Sequence, residues 1–401
     1  MLQSSMPRRW SLAAWLLLVL TLASGTLLRL QWTGAVPVGL NSRYLLHAHS
    51  HVALLGWTFA AFFGLVLRDS RFAVPRAGRV VAEVLIFLLI VALFAAYALE
   101  GYGFWSILLS TLHILVTCVL VVLYVGEPRQ EMAGGTRIWI DLSMAWLVVA
   151  AVGPLMLARG GAMGTVWIDA WVGYYLTLLF NGWLLFGVVG LLIRRVGGDA
   201  GPGRWPWIPY LMAAGVLPAV LPRFAPWIQV PGLEWIGWGG LLVIGVGLIV
   251  VARALPLGKV GGAGDRALAV SVRLAMILTG LAVVVGGFPP LIERLAGAHN
   301  LVIGFVHLHL LAFVTAALVF LLYRARLAAV ALFLAGVWGM VAVLLAVGAT
   351  ELMGRPVFWP VQWVLAVAGT VAVAGAILLP LSPASPLRAG PGSTPPGGTD
   401  P

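Results

Sequence analysis

Charged residues and cysteine are the two groups in which this sequence is poorest. Only 9% of its 401 residues are Asp, Glu, Lys or Arg, whereas about a quarter are charged in a typical soluble domain. So few charges cannot cover the water-facing surface of a soluble protein of this length. The single cysteine, Cys118, excludes an intrachain disulfide and any cysteine-rich zinc or iron–sulfur site.

Long apolar runs dominate the chain instead. The sequence is 62% hydrophobic, and its mean hydropathy is +1.04. A helix of about 20 apolar residues crosses the roughly 30 Å hydrocarbon core of a membrane. The runs therefore predict an all-α polytopic membrane protein with about twelve spans, at 10–30, 44–67, 79–99, 104–125, 138–158, 167–193, 206–222, 235–255, 267–288, 297–323, 326–347 and 358–380.

Basic residues alternate between the two sides of this predicted bundle. The net charge of +11 comes from scattered arginines in short loops, without a basic tract, so it does not indicate a nucleic-acid partner. With both termini in the cytoplasm, 18 of the 24 Lys and Arg residues fall on the inner side and six on the outer side. This bias predicts a bacterial-type inner membrane, with the lipid bilayer around the bundle.

The short loops leave no room for a separate soluble domain. Residues 1–381 are predicted to form a single transmembrane domain. Residues 382–401 are rich in Pro, Gly and Ser, and this composition predicts a disordered cytoplasmic tail.

The histidines are concentrated near one face of the membrane. Six of the seven lie on the second and tenth predicted spans, and His113 lies on the fourth. His299 is placed at the outer mouth. At about 1.5 Å per residue, the others lie roughly 5 to 18 Å below the outer surface. The six are His47, His49, His51, His299, His307 and His309.

Their spacing decides which histidines can act together. His47 and His51 are four residues apart and share a helix face, whereas His49 points about 200° away from both. His307 and His309 likewise point to opposite sides of their helix. The two His-x-His pairs can therefore serve two sites, one on each flank of a helix.

Ionisable residues inside a membrane are costly and usually mark function. Neutral imidazole is a frequent ligand of haem iron and of transition metals. A single histidine such as His113 is more often an interhelical hydrogen-bonding residue. The six histidines on two spans favour a bound metal or cofactor.

The tenth predicted span carries a longer pattern. It has His299, then His307 eight residues later, then one residue and His309. This pattern resembles the tenth helix of subunit I of the haem–copper oxidase superfamily, which includes cytochrome oxidases and nitric oxide reductases. Twelve spans, cytoplasmic termini and the depth of the histidines extend the resemblance.

The resemblance implies specific ligands for one or two b-type haems. His309 would bind a low-spin haem together with one of His47, His49 and His51, and the residues leave open which of the three. His307 would bind a high-spin haem. His113 and His299 are possible additional ligands.

The copper site of that superfamily has no counterpart in this sequence. The superfamily places one copper-binding histidine on the sixth helix and two near the seventh, and neither segment contains histidine here. Neither bound copper nor conventional oxygen reduction is therefore expected. Acidic proton-entry motifs are also lacking.

Haem propionates are anionic and need cationic partners near the surface. Arg355 lies in the last outer loop, where the superfamily often places such arginines, and Arg43 lies one turn before the histidine triplet. Both are propionate candidates, although each is also explained as an arginine that extends to the membrane surface.

Three functions follow from these residues. The first is a membrane haem b protein that takes part in electron transfer, or in O2 or NO binding or reduction, at the outer side. If it is an enzyme, it is an oxidoreductase of the haem–copper oxidase type without a conventional copper site. Other respiratory membrane subunits, an electron-donor protein or quinol would supply electrons.

The second function is a non-haem Zn, Fe or Cu protein or transporter. It would use His47 and His51 together with His113 or a histidine of the tenth span. The third is a structural or sensory membrane protein with a degenerate site.

Overall fold

The chain forms a bundle of long apolar helices in the computed structural model. The structure describes residues 8–36, 39–67, 76–126, 135–158, 164–196, 205–257, 261–355 and 360–380. Regular structure in these ranges is entirely helical. The prediction of an all-α polytopic membrane protein is confirmed at this level. The predicted tail, 382–401, lies outside the described residues.

Eleven helices in the described ranges are long and apolar enough to cross a membrane, and a shorter apolar helix lies at the seventh predicted position. We number all twelve in chain order: α1 Arg9–Trp32, α2 Ser42–Val66, α3 Gly78–Glu100, α4 Phe104–Gly126, α5 Thr136–Leu157, α6 Thr165–Val196, α7 Ile208–Phe224, α8 Leu233–Ala254, α9 Ala263–Gly286, α10 His299–Leu322, α11 Leu327–Leu352 and α12 Val361–Leu378.

The short α7 helix follows from its prolines. Pro218 lies inside its α-helical part, and the helix tightens to a 3-10 turn at Leu221–Phe224, which contains Pro222. Proline lacks the amide hydrogen that a regular helix needs, so the helical ladder cannot continue unchanged. The structure therefore supports eleven full-length spans and one shorter helix among the described residues.

Three helices form the centre of the bundle. The most apolar windows of α2, α6 and α10 are 72%, 89% and 67% buried, and no other candidate span exceeds 50%. Each of the three contains a π-helical segment, at Val52–Thr58, Leu179–Leu184 and Leu308–Thr315. Each π segment packs against the preceding helix, which is α1, α5 or α9. The same arrangement therefore recurs at every fourth helix, and π segments occur frequently at functional sites.

Side chains join these central helices pairwise. The Trp57 indole of α2 donates a 3.0 Å hydrogen bond to Oγ1 of Thr315 in α10. Phe62 of α2 meets Trp183 of α6 edge to face, with ring centroids 5.7 Å apart. These buried contacts hold α2 against α10 and α6.

Close glycine packing holds α11 against α12. A Cβ atom on Gly336 would meet the main chain of Ala368 and Ala372, whereas a Cβ on Gly339 would lie 3.7 Å from the Ala368 side chain. We expect Gly336→Ala to lower stability by about 1–3 kcal/mol, because rigid backbone must move apart. The control Gly339→Ala should melt within a few degrees of wild type. Equal melting temperatures in detergent would contradict this packing.

Candidate cofactor site at the histidine end

The histidines gather at one end of the bundle. Helix α1 ends there, and α2, α10 and α12 begin there, so we call it the histidine end. It contains two histidine-bearing flanks of α2, one facing α1 and the other facing α3. The structure therefore separates the histidine triplet as the helical spacing predicts.

His49 is anchored to α1. Its Nδ1 lies 3.0 Å from the Thr21 carbonyl oxygen and 3.3 Å from Oγ of Ser24. A carbonyl can only accept, so the Nδ1–H of His49 donates to Thr21. The neutral ring then presents the lone pair of Nε2, which is the arrangement commonly found in histidines that bind metals.

His307 is anchored in the same way within α10. Its Nδ1 lies 2.8 Å from the Ile303 carbonyl oxygen, so the Nδ1–H donates and Nε2 keeps its lone pair. His49 and His307 lie deep in the bundle and close enough to interact electrostatically. Both nevertheless retain partial accessibility, which leaves open space beside these two imidazoles.

Arg29 of α1 lies beside this pair, and its charge acts on both imidazoles. Its side chain is only 7% exposed. Nη1 donates to Oε1 of Gln362 at 3.1 Å, and the guanidinium carbon lies 4.9 Å from the Trp32 ring centroid. Neither contact supplies a negative charge, so this buried cation is suited to an anionic group. The propionate candidates suggested by the sequence did not include Arg29.

An open groove of about 450 Å³ lies at this end of the bundle. Trp32 and Gln362, the two residues that contact Arg29, form part of its wall. Glu351 of α11 also lines it, and its carboxylate accepts from the backbone N–H of Asn300 at 2.9 Å and from the Asn300 amide. A carboxylate at a helix N-terminus is stabilising, so Glu351 holds the first turn of α10.

His309 faces the opposite flank of α10 from His307. Its ring stacks on Phe180 of α6, with centroids 5.4 Å apart, and the residue is 0% exposed. The Phe180 backbone approaches the ring, but neither ring nitrogen has a partner in hydrogen-bond geometry among the described residues. His307, rather than His309, has the electrostatic interaction with His49, whereas the resemblance implies a pairing through His309.

His47 and His51 lie on the flank of α2 that faces α3. The His51 ring stacks on Tyr97 at 3.9 Å between centroids, and the His47 ring meets Tyr102 edge to face at 4.6 Å. Both histidines therefore point away from the His49 flank. Sequence reasoning did not identify the two tyrosines.

His113 has the structural role that is usual for a single histidine. Its Nε2–H donates to the Leu55 carbonyl at 2.9 Å, within the π segment of α2, and its ring packs on Phe59. Among the described residues, no three His, Cys, Asp or Glu side chains converge to hold a metal ion. The predicted three-histidine metal site is therefore not formed there.

The remaining candidates lie at the surface. His299 is exposed at the start of α10, and Arg43 and Arg355 are exposed as well. The Arg43 amide donates to Oδ1 of Asn41, which caps α2, and the Arg355 amide closes the end of α11 on the Thr350 carbonyl. The structure therefore buries Arg29 beside the histidines and leaves the two predicted arginines on the surface.

Gly25 allows the His49 ring to lie against α1. A Cβ atom at this position would lie 2.7 Å from Cε1 of His49, whereas a Cβ at Gly239 in α8 would meet nothing within 4 Å. We expect Gly25→Ala to displace the imidazole at little cost in stability, because a side chain moves more easily than backbone. A shifted His49 ring resonance in NMR, absent in Gly239→Ala, is the measurement. An unmoved resonance in Gly25→Ala would contradict the contact.

Comparison with known proteins does not identify this chain: no family model and no curated protein matches it.

Proposed function

We propose that this chain is a membrane haem b protein in which His49 and His307 would both hold the haem iron. One observation carries the proposal. Two imidazoles from different helices are each anchored through Nδ1, and they interact electrostatically with each other and with a buried arginine. The space beside them supports the same reading, since both residues retain accessibility deep in the bundle.

The number of ligands favours haem over a bare metal ion at this position. A bare zinc site needs three or four protein ligands, whereas a porphyrin supplies four nitrogens and leaves two axial positions. His49 and His307 fill two positions, and no third metal-binding side chain joins them among the described residues. Arg29 would hold a propionate by charge and hydrogen bonding. Trp32 and Gln362 connect that position with the open groove.

Bis-histidine ligation saturates the iron, so such a haem transfers electrons and offers no open position to O2 or NO. His49 and His307 would hold the iron coordination unchanged during electron transfer, because each ring is fixed by its backbone hydrogen bond. A second haem on His309 would require a lone pair open to iron, and both of its ring nitrogens are buried. We therefore assign one haem.

The proposal extends to location and partners. The resemblance to haem–copper oxidase subunit I and the bias of basic residues support an inner membrane with the histidine end outward. Electrons would come from another membrane subunit, a donor protein or quinol. The lack of histidines on the sixth and seventh predicted spans argues against oxygen reduction at a histidine-ligated copper.

A spectrum tests the proposed function directly. Protein purified from membranes in mild detergent should give a Soret band, a reduced-minus-oxidised b-type spectrum and about one haem per chain by pyridine haemochrome. Electron paramagnetic resonance should give a low-spin ferric signal. Protein that carries neither iron nor a Soret band after expression with added haem precursor would disprove it.

A further inference from the structure

The second histidine flank of α2 is not used by the proposed haem. His47 and His51 lie one helical turn apart on the face toward α3, and they interact electrostatically. Two histidines at this spacing on one helix face form the ligand pair of several zinc enzymes. The flank therefore presents a preformed half of a metal site.

Hydrogen bonds fix the tautomer of one ligand. Nδ1 of His51 lies 2.8 Å from the His47 carbonyl oxygen, so its Nδ1–H donates and Nε2 is left with the lone pair. A backbone carbonyl commonly orients a metal-binding imidazole in this manner. The ring also stacks on Tyr97, which is 2% exposed and restricts rotation of the imidazole.

Tyr97 itself is not available as a ligand. Oγ of Ser110 donates its only hydrogen to the Ser106 carbonyl at 2.7 Å. The 2.9 Å contact between Ser110 and the Tyr97 hydroxyl must then be donated by Tyr97. The hydroxyl is held in this chain of hydrogen bonds. Tyr97 therefore contributes only its ring, on which the His51 imidazole stacks.

Tyr102 supplies the third group. It lies in the turn between α3 and α4, and its ring centroid is 4.6 Å from that of His47 and 5.8 Å from that of His51. The residue is 60% exposed, so ions from water can reach it. Its ring lies against both imidazoles, so a phenol group accompanies the two histidines on this flank.

We infer that His47, His51 and Tyr102 bind one divalent transition-metal ion of the Cu²⁺ or Zn²⁺ class, with water in the remaining position. Imidazole suits both metals, and Cu²⁺ is bound most tightly among the first-row divalent ions. The site is separate from His49 and His307, and it does not depend on bound haem.

The test uses Cu²⁺ alone as the probe, with full-length protein that carries no polyhistidine tag. We expect one equivalent of bound Cu²⁺, with nitrogen hyperfine couplings from two imidazoles in electron paramagnetic resonance. His47→Ala and His51→Ala should each weaken binding by about tenfold or more, because two of three protein ligands remain. Tyr102→Phe keeps the ring contact but removes the oxygen, and it should also weaken binding.

The matched control is His299→Ala, which removes an exposed histidine at the same end of the bundle. It should leave the affinity and the hyperfine pattern unchanged. Cu²⁺ binding that disappears in His299→Ala but persists in His51→Ala would be adventitious and would overturn the site. Unchanged Cu²⁺ binding in His47→Ala and His51→Ala would overturn it as well. Size-exclusion elution and melting curves identify any variant that fails to fold, and His51→Gln then replaces it. Zn²⁺ competition for the bound Cu²⁺ confirms the metal class.

Discussion

His49→Ala and His307→Ala are each expected to lose more than about 90% of the bound haem. Either variant leaves one axial nitrogen, and the two anchored imidazoles interact electrostatically with each other and with Arg29. The measurement is haem per chain by pyridine haemochrome, together with the low-spin ferric signal. Glycine at either position should allow partial rescue by added imidazole, because the free ligand can occupy the vacated position.

His309→Leu is the discriminating control for this assignment. Both ring nitrogens of His309 are buried without partners among the described residues, and an unsatisfied buried polar group costs about 1–3 kcal/mol. An apolar side chain of similar size should therefore retain the haem spectrum and raise the melting temperature. Loss of the low-spin signal in His309→Leu, with His307→Ala unaffected, would instead support the pairing that the family resemblance implies.

Arg29→Met is expected to lower the haem reduction potential by an amount on the order of tens of millivolts. A nearby positive charge favours the ferrous over the ferric state, so removing it stabilises the oxidised form. Burial makes the effect larger than at the surface, where solvent and salt screen charges. Arg29 is 7% exposed and has a neutral amide and an indole ring as its contacts. A redox titration of purified protein measures the shift.

Charge-preserving and surface variants control this experiment. Arg29→Lys keeps the positive charge and should shift the potential less, although it loses the bidentate fork. Arg43→Met and Arg355→Met remove exposed arginines and should change the potential by only a few millivolts. A larger shift of the reduction potential in Arg355→Met than in Arg29→Met would instead assign Arg355, in the last outer loop, as the partner of the propionate.

Much of the architecture follows from local sequence. Runs of about 20 apolar residues specify helices in lipid, because an unpaired backbone group is too costly there. The predicted spans 44–67 and 297–323 correspond to Ser42–Val66 and His299–Leu322. The predicted span 206–222 corresponds to the shorter helix Ile208–Phe224, which contains prolines. The π segments at Val52–Thr58, Leu179–Leu184 and Leu308–Thr315 were not predicted.

Only part of the candidate site could be predicted from the sequence. Helical periodicity showed that His49 opposes His47 and His51, and that His307 opposes His309. It could not show which neighbouring helix each flank faces, because that depends on how the bundle packs. The burial of Arg29 could not be predicted either, since an arginine near the end of an apolar run is equally well explained as a surface residue.

The sequence by itself therefore determined the membrane class, the approximate helices and a group of histidines at one end, because these depend on hydropathy and helical spacing. Tertiary structure decided that His49 and His307 interact with each other and with Arg29, and that the rings of His47 and His51 contact Tyr102. The reason is physical: a histidine's chemistry depends on which backbone carbonyl fixes its proton and which helix faces its free nitrogen.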